Sequence, residues 1–234
     1  PEKIIETVQA FLLNKEMDLP LKNKKVVITA GGTKERIDPV RFITNDSSGK
    51  MGYSLAIAAR NLGADVCLIS TSKVLQKPYG VTLIQVETAE QMHQAINKEF
   101  DKASIIIMAA AVSDYRPKKV ETNKIKKNEQ EMTLALIKNT DILATLGSQK
   151  KEQFLIGFAA ETTNVEEYAR GKLTKKNADL IVANDVSKAH AGFNKDTNEV
   201  TIFMVDEKPI ELTVKSKQMI AEEILAVALT KMKK

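Results

Sequence analysis

The sequence predicts an α/β fold: a mostly parallel sheet with helices on both faces, plus an appended β-hairpin and an extended flap. Two observations carry this expectation. Short apolar runs at 25–30, 65–70, 82–86, 104–109, 154–158 and 179–183 alternate with stretches at 2–15, 49–62, 88–99, 140–148, 164–176 and 216–232. In the latter, apolar residues recur at three- and four-residue spacing, the period of an amphipathic helix. Strands separated by such helices join by right-handed crossovers, and ligands then bind beyond the carboxyl ends of the strands. A chain of 234 residues suits one domain over 1–234.

The opening stretch PEKIIETVQAFLLNK reads as an amphipathic helix rather than a signal peptide. No apolar run reaches the length of a membrane span. A cytoplasmic protein with no membrane partner is expected.

The first strand then opens into TAGGTKERIDPVRFITNDSSGKMG, residues 29–52. Gly31, Gly32 and Gly49 permit close approach of the backbone to a phosphate. Ser47-Ser48 precede the helix at 49–62, where a serine would cap the first amides and the helix dipole would favour an anion. The loop is not G-x-G-x-x-G, and the second strand ends in Ile69-Ser70-Thr71 with no acid for a ribose hydroxyl. It is not a Walker loop either. It is therefore a phosphate site of its own kind or a plain strand–helix connection.

After Ile105–Ile107 comes Met108-Ala-Ala-Ala-Val-Ser-Asp-Tyr-Arg-Pro117. Four small residues allow a ligand to lie against the backbone, and Asp114 could hold a magnesium ion bridging phosphates. Asp114 could equally cap a helix, although Pro117 argues against a helix beginning there. Lysines follow at 118–119 and in Lys124-Ile125-Lys126-Lys127. They make either a solvated face or a site that neutralises a polyanion. The alternating run 131–137 returns, so 115–137 reads as a flap.

Gly157-Phe-Ala-Ala-Glu-Thr162 ends another strand. Phe158 could meet a nucleobase, but by itself it reads as core. Lys172 and Lys176 share one helix face, ordinarily a solvated one. Asp179–Asp185 (DLIVAND) again ends polar at the ligand edge. Residues 199–205 and 210–214, joined by Asp206-Glu-Lys-Pro209, read as an antiparallel hairpin over 199–214.

Composition narrows the chemistry. Absent tryptophan and 5% aromatic content disfavour a base-stacking nucleic-acid platform. The lone Cys67 lies inside a strand and reads as core, and His93 and His190 lack partners at metal-ligand spacing, so any metal would be held by oxygen. No Ser–His–Asp or Cys–His set emerges. Phosphate and cation chemistry at four strand ends suits a nucleotide-dependent ligase. The alternatives are a non-catalytic phospholigand sensor, then a dinucleotide-linked oxidoreductase, and last a nucleic-acid binder.

The segments ITAGGTKERIDPVRFITNDSSGKMG, AAAVSDYRP, KIKK, KNTDILATLG, GFAAET, and DLIVANDVS with GFNKDTNEVTIF, in this order, resemble phosphopantothenoylcysteine synthetase. The stand-alone bacterial form is expected, because the chain has no room for a fused flavin-dependent decarboxylase. The resemblance implies a Rossmann-like sheet and a homodimer whose flap covers a site. It implies that 4′-phosphopantothenate and L-cysteine are joined with conversion of CTP to CMP and pyrophosphate through an acyl-cytidylate. Magnesium would assist, no flavin would be bound, and a separate decarboxylase would act next. It further implies that Asn45 handles the acyl-cytidylate, that Arg41 serves the cysteine-dependent half, and that Ala110 lines the phosphopantothenate site. Asp114 and Lys124 would meet the triphosphate and its magnesium. Asp141, Ile142 and Leu143 would present backbone to cytosine, with Phe158, Lys172 and Lys176 completing the nucleotide site. Ser47, Ser48 and Gly49 coincide with the phosphate-binding helix start read from the residues. The family often has His at Asp46, Ala at Ser113 and Pro at Thr140.

Overall fold

The computed structural model describes residues 19–126, 131–161, 163–185 and 195–232; the helix expected at 2–15 lies outside them. Strand β1 (Lys25–Ala30) leads to the short strands β2 (Lys34–Arg36) and β3 (Phe42–Thr44), then helix α1 (Lys50–Asn61). Next come β4 (Asp65–Ser70), β5 (Thr82–Gln85), α2 (Ala89–Phe100) and β6 (Ile105–Met108). Strands β7 (Tyr115–Pro117) and β8 (Leu136–Lys138) precede α3 (Ile142–Gln149), β9 (Phe154–Glu161) and α4 (Val165–Lys176). The described chain closes with β10 (Leu180–Asp185), β11 (Thr197–Phe203), β12 (Ile210–Ser216) and α5 (Lys217–Met232).

Eight strands form the central sheet in the order β12-β11-β10-β9-β6-β1-β4-β5. All neighbouring pairs from β10 to β5 are parallel, whereas β10–β11 and β11–β12 are antiparallel, as the hairpin reading required. In register, Val27 stands between Cys67 and Ile106. The interior strands are buried on both faces, which explains their unbroken apolar runs. One layer joins α1 and α5 to the sheet through Ile28, Leu55, Leu68, Ile107, Ile220 and Ile224. The opposite layer sets Met92, Ile96 and Leu146 of α2 and α3 against Val27, Ile69 and Ile106. Cys67 belongs to that layer, and burial pushes its thiol up to about 11, an inert core residue.

From β1 the chain runs one way to β4 and β5, and from β6 the other way to β9 and β10. The gap between β1 and β6 is therefore the topological switch point, where such sheets open a crevice. Two features depart from expectation. The α1 N-cap is Gly49, at φ 78°, not a serine. Ser47 and Ser48 hydroxyls instead accept from the Gly49 and Lys50 amides, each at 3.4 Å. Tight turning at Gly49 places both serines upstream of the cap, so they brace the turn. The second departure is the β2–β3 hairpin, whose strands are too short for a periodic signal. It is fastened by Lys34 and Arg36 over the Phe42 ring, and by buried Glu35, which accepts from the Ala89 amide of α2 at 2.9 Å. The ends of the expected flap are tied together as the antiparallel pair β7–β8, and β7 begins directly after Asp114.

Candidate active site

A cleft of about 780 Å³ runs along the carboxyl ends of the sheet, within the range of a small-molecule site. The segment Thr44–Gly49 and the start of α1 form one wall, Met108–Asp114 the floor, and Lys138–Leu143 with Phe158–Ala160 and two lysines of α4 the other wall. Asn45, Ser47, Ser48, Gly49, Ala110, Asp114, Asp141, Ile142, Leu143, Phe158, Lys172 and Lys176 are thus brought together from segments up to 131 residues apart in sequence, the distance from Asn45 to Lys176.

Backbone and side-chain bonds fix the floor. Thr29 Oγ1 accepts from the Ala110 amide at 3.1 Å, and the Gly31 carbonyl accepts from the Ala111 amide at 2.9 Å. Asn45 donates from Nδ2 to the Val112 carbonyl at 3.1 Å, which holds its amide over the floor. Asn139, buried, donates to the Ser113 carbonyl at 2.7 Å and accepts from Arg116 Nη1 at 2.7 Å. Asp114 follows on the rim, exposed, its carbonyl accepting from the Asn139 amide.

The α4 wall is a pair of ion pairs. Lys172 meets Glu161 at 2.7 Å, and Lys176 meets Asp141. Asp141 is also the N-cap of α3 and accepts from the Ala144 amide at 3.0 Å. Burial favours its neutral form, but Lys176 and the Ala144 amide outweigh that and hold its carboxyl below the usual range. The lysines therefore form a charged wall rather than the solvated face their spacing ordinarily signals. Phe158 packs against the core, as it reads by itself, and also lines the cleft.

Four expected residues stand elsewhere. A Cβ on Gly31 would lie 2.3 Å from Thr71 Oγ1, and one on Gly32 would lie 2.3 Å from the Asn45 carbonyl oxygen. Neighbouring loops fill the space that a phosphate was expected to fill, so these glycines nest the loops that carry the site. Arg41 does not line the cleft. Its Nε and Nη2 clasp buried Asp38 at 3.0 and 2.6 Å, and Nη2 also donates to the Ile125 carbonyl at 2.9 Å. Asp38 further accepts from the amides of Val40, Arg41 and Ile125. The Arg41 guanidinium first, against an opposing burial effect and with those amides, holds the Asp38 carboxyl well below the ordinary carboxylate range. Lys124, next to Ile125, is exposed and is likewise absent from this cleft. The Asp38 carboxylate thus anchors the flap to the β2–β3 turn and keeps both cations away from their own chain's site.

The residues named as candidates do not include Lys217, Asn198, Asn184 and Ser113, which also line the cleft and are buried. Asn184 was visible as a polar strand end. Nothing local marks Lys217, which reaches the site through the docking of α5 beside α1. Among the described residues no three His, Cys, Asp or Glu side chains gather as a metal site, so a divalent ion would need phosphate oxygens beside Asp114. Among them, too, no helix is long and apolar enough to cross a membrane.

Comparison with known proteins agrees with this architecture. The coenzyme A biosynthesis bifunctional protein CoaBC of Bacillus subtilis (strain 168) is 51% identical over 226 residues, which cover 96% of this chain and 55% of that protein. Its counterpart from Escherichia coli (strain K12) is 43% identical over 215 residues, 90% of this chain and 53% of that one. The chain spans about half the length of these relatives, which lends no support to the expected stand-alone form. A crystal structure of the C-terminal domain of CoaBC superimposes with a TM-score of 0.80 at 45% identity, covering 92% of this chain and 99% of that one. Residues 21–232 match the model for the DNA/pantothenate metabolism flavoprotein C-terminal domain, and the chain belongs to that family.

Proposed function

We propose that this chain is a phosphopantothenate–cysteine ligase of coenzyme A biosynthesis that uses CTP and proceeds through an acyl-cytidylate. The observation that carries this reading is the cleft at the switch point. It joins the Asn45 amide and the floor at Ala110 to a wall built from Asp141, Phe158, Lys172 and Lys176. A cleft of that size takes a nucleotide and an acid side by side, and the relatives' role in coenzyme A biosynthesis supports the substrates.

A carboxylate does not acylate an amine until one oxygen becomes part of a leaving group. In the first half-reaction the phosphopantothenate carboxylate oxygen bonds to the α-phosphorus of CTP, the bond to the bridging oxygen breaks, and pyrophosphate departs. In the second, the cysteine amine attacks the activated carbonyl, the carbon–oxygen bond breaks, CMP leaves, and the amine loses a proton. Asn45, steadied by the Val112 carbonyl, orients the acyl group over the Ala110 backbone. Lys172 and Lys176 exchange their carboxylate partners for nucleotide oxygens, while the first turn of α3 offers backbone to the base. Magnesium, held by Asp114 and the phosphates, would neutralise charge on the departing pyrophosphate.

Arg41 and Lys124 stand off their own cleft, which supports a homodimer in which the flap serves the neighbouring site. The reading places the enzyme in the cytoplasm, with no flavin, nucleic-acid or membrane partner, and a separate decarboxylase consuming its product. Purified protein given all three substrates releases CMP and pyrophosphate in step with amide, faster with CTP than with ATP. Release of nucleoside diphosphate and orthophosphate contradicts the reading.

A further inference from the structure

At the end of the cleft nearest α1, two buried amides have carbonyl oxygens with no hydrogen-bond partner: Asn184 Oδ1 on β10 and Asn198 Oδ1 on β11. Both residues line the cleft, together with buried Lys217 at the start of α5. The Lys217 ammonium donates to the Lys195 carbonyl, and its amide donates to the Asp196 carbonyl at 2.9 Å. The Asp196 carboxylate pairs with Lys50, at the first position of α1, at 2.6 Å. Helices α1 and α5 pack side by side with their amino termini at this same end of the sheet.

We infer that this end of the cleft is a phosphate-oxyanion subsite with Lys217 as its central cation and Asn184 and Asn198 as its neutral donors, an assignment that deepens the proposed function and rests on it. Buried polar groups are almost always bonded, so two partnerless carboxamide oxygens in one cleft wall point to a polar ligand there. Turned about its last torsion, such an amide offers its two N–H donors to a phosphate oxygen where its carbonyl oxygen now stands. Two helix amino termini add positive potential at the same place. Burial, then the nearby Lys50 charge, makes the Lys217 ammonium easier to deprotonate, and Asp196 only partly offsets this. A cation kept where its burial costs stability fits a binding role, since an apolar side chain would fill the space more cheaply.

Two phosphate sources share this chemistry: the polyphosphate of the nucleotide and the terminal phosphate of the acid. Calorimetric titration of the whole chain separates them, with magnesium pyrophosphate, CMP, 4′-phosphopantothenate and pantothenate as probes. Loss of a charge-assisted bond in Lys217→Met weakens the phosphate probe that uses this subsite by about 10- to 100-fold. CMP and pantothenate binding stay within about twofold. Loss confined to pyrophosphate identifies the nucleotide tail, and loss confined to 4′-phosphopantothenate identifies the acid. Asn198→Asp, similar in size but negative, weakens the same probe and decides the matter if Lys217→Met does not fold. Unchanged binding of both phosphate probes in the variants, or no binding of either by the wild type, overturns the inference. Wild-type turnover with normal phosphate binding by both variants removes the subsite and leaves the ligase reading intact. Absent turnover with Lys217-dependent pyrophosphate binding does the reverse.

Discussion

Gly52 lies where α1 crosses β1, and a methyl group there tests whether helix, strand and cleft are one rigid unit. A Cβ at Gly52 would stand 2.6 Å from Ala30 Cβ and 2.8 Å from the Thr29 carbonyl oxygen. The closer contact is about 0.8 Å short of the 3.4 Å at which ordinary contact begins. Neither obstacle is a flexible side-chain tip, so Gly52→Ala must push α1 away from the sheet. Overpacking of this kind costs roughly 2–3 kcal/mol, a fall of about 4–12 °C in unfolding midpoint for a chain of this size. The displacement also moves Gly49 and Met51 at the cleft wall, so affinity for pyrophosphate falls with stability. Gly171 on α4 is the control, since a Cβ there meets nothing within 4 Å. Gly171→Ala gains about 0.4–1 kcal/mol from a stiffer unfolded chain and better helix propensity. Thermal and urea unfolding of both variants measure the contrast. Gly52→Ala within about 0.5 kcal/mol of wild type refutes the packing argument.

The other expectations follow from the same contacts. Asp38 carries a depressed carboxyl pKa, so its contribution is present above the unfolded value of about 3.9 and fades as pH falls below it. Acid unfolding of Asp38→Asn should therefore show a shallower pH slope than wild type below about pH 4, and an unchanged slope removes Asp38 from the account. Lys176→Met removes the partner of Asp141 and the proposed nucleotide contact; steady-state kinetics should show KM for CTP raised about tenfold with kcat less affected. Equal KM rejects that role. Asn45→Ala should lower kcat about 100-fold while costing only the one bond to Val112, about 1 kcal/mol by thermal unfolding. Unchanged turnover rejects Asn45 as the acyl-handling group.

Most of the sheet was legible because its strands are buried on both faces and its helices are amphipathic, so each wrote its own period into the sequence. Strands β1 and β4 begin and end where their apolar runs do. The β2–β3 hairpin left no such trace, because three residues per strand are too few to establish alternation and its fastening comes from Glu35 and Phe42 reaching distant partners. Polar strand ends marked the cleft well, since small residues and a carboxylate after β6 have few other uses. The glycines after β1 misled, because close approach by a neighbouring loop demands the same absence of Cβ as close approach by a phosphate. Serines before α1 promised a cap that Gly49 supplies instead. The pairing of Lys172 with Glu161, and of Lys176 with Asp141, depends on the seating of α4 against β9 and α3, which no local pattern reports. Lys217 was hidden for the same reason.

The central claim is that the acid is activated by transfer to a nucleotide, and oxygen tracing tests it most directly. Phosphopantothenate labelled with heavy oxygen in its carboxylate is turned over with CTP and cysteine, and the products are weighed by mass spectrometry. The account predicts one labelled oxygen in CMP and none in pyrophosphate. Label in orthophosphate, or amide formed with unlabelled CMP, contradicts it.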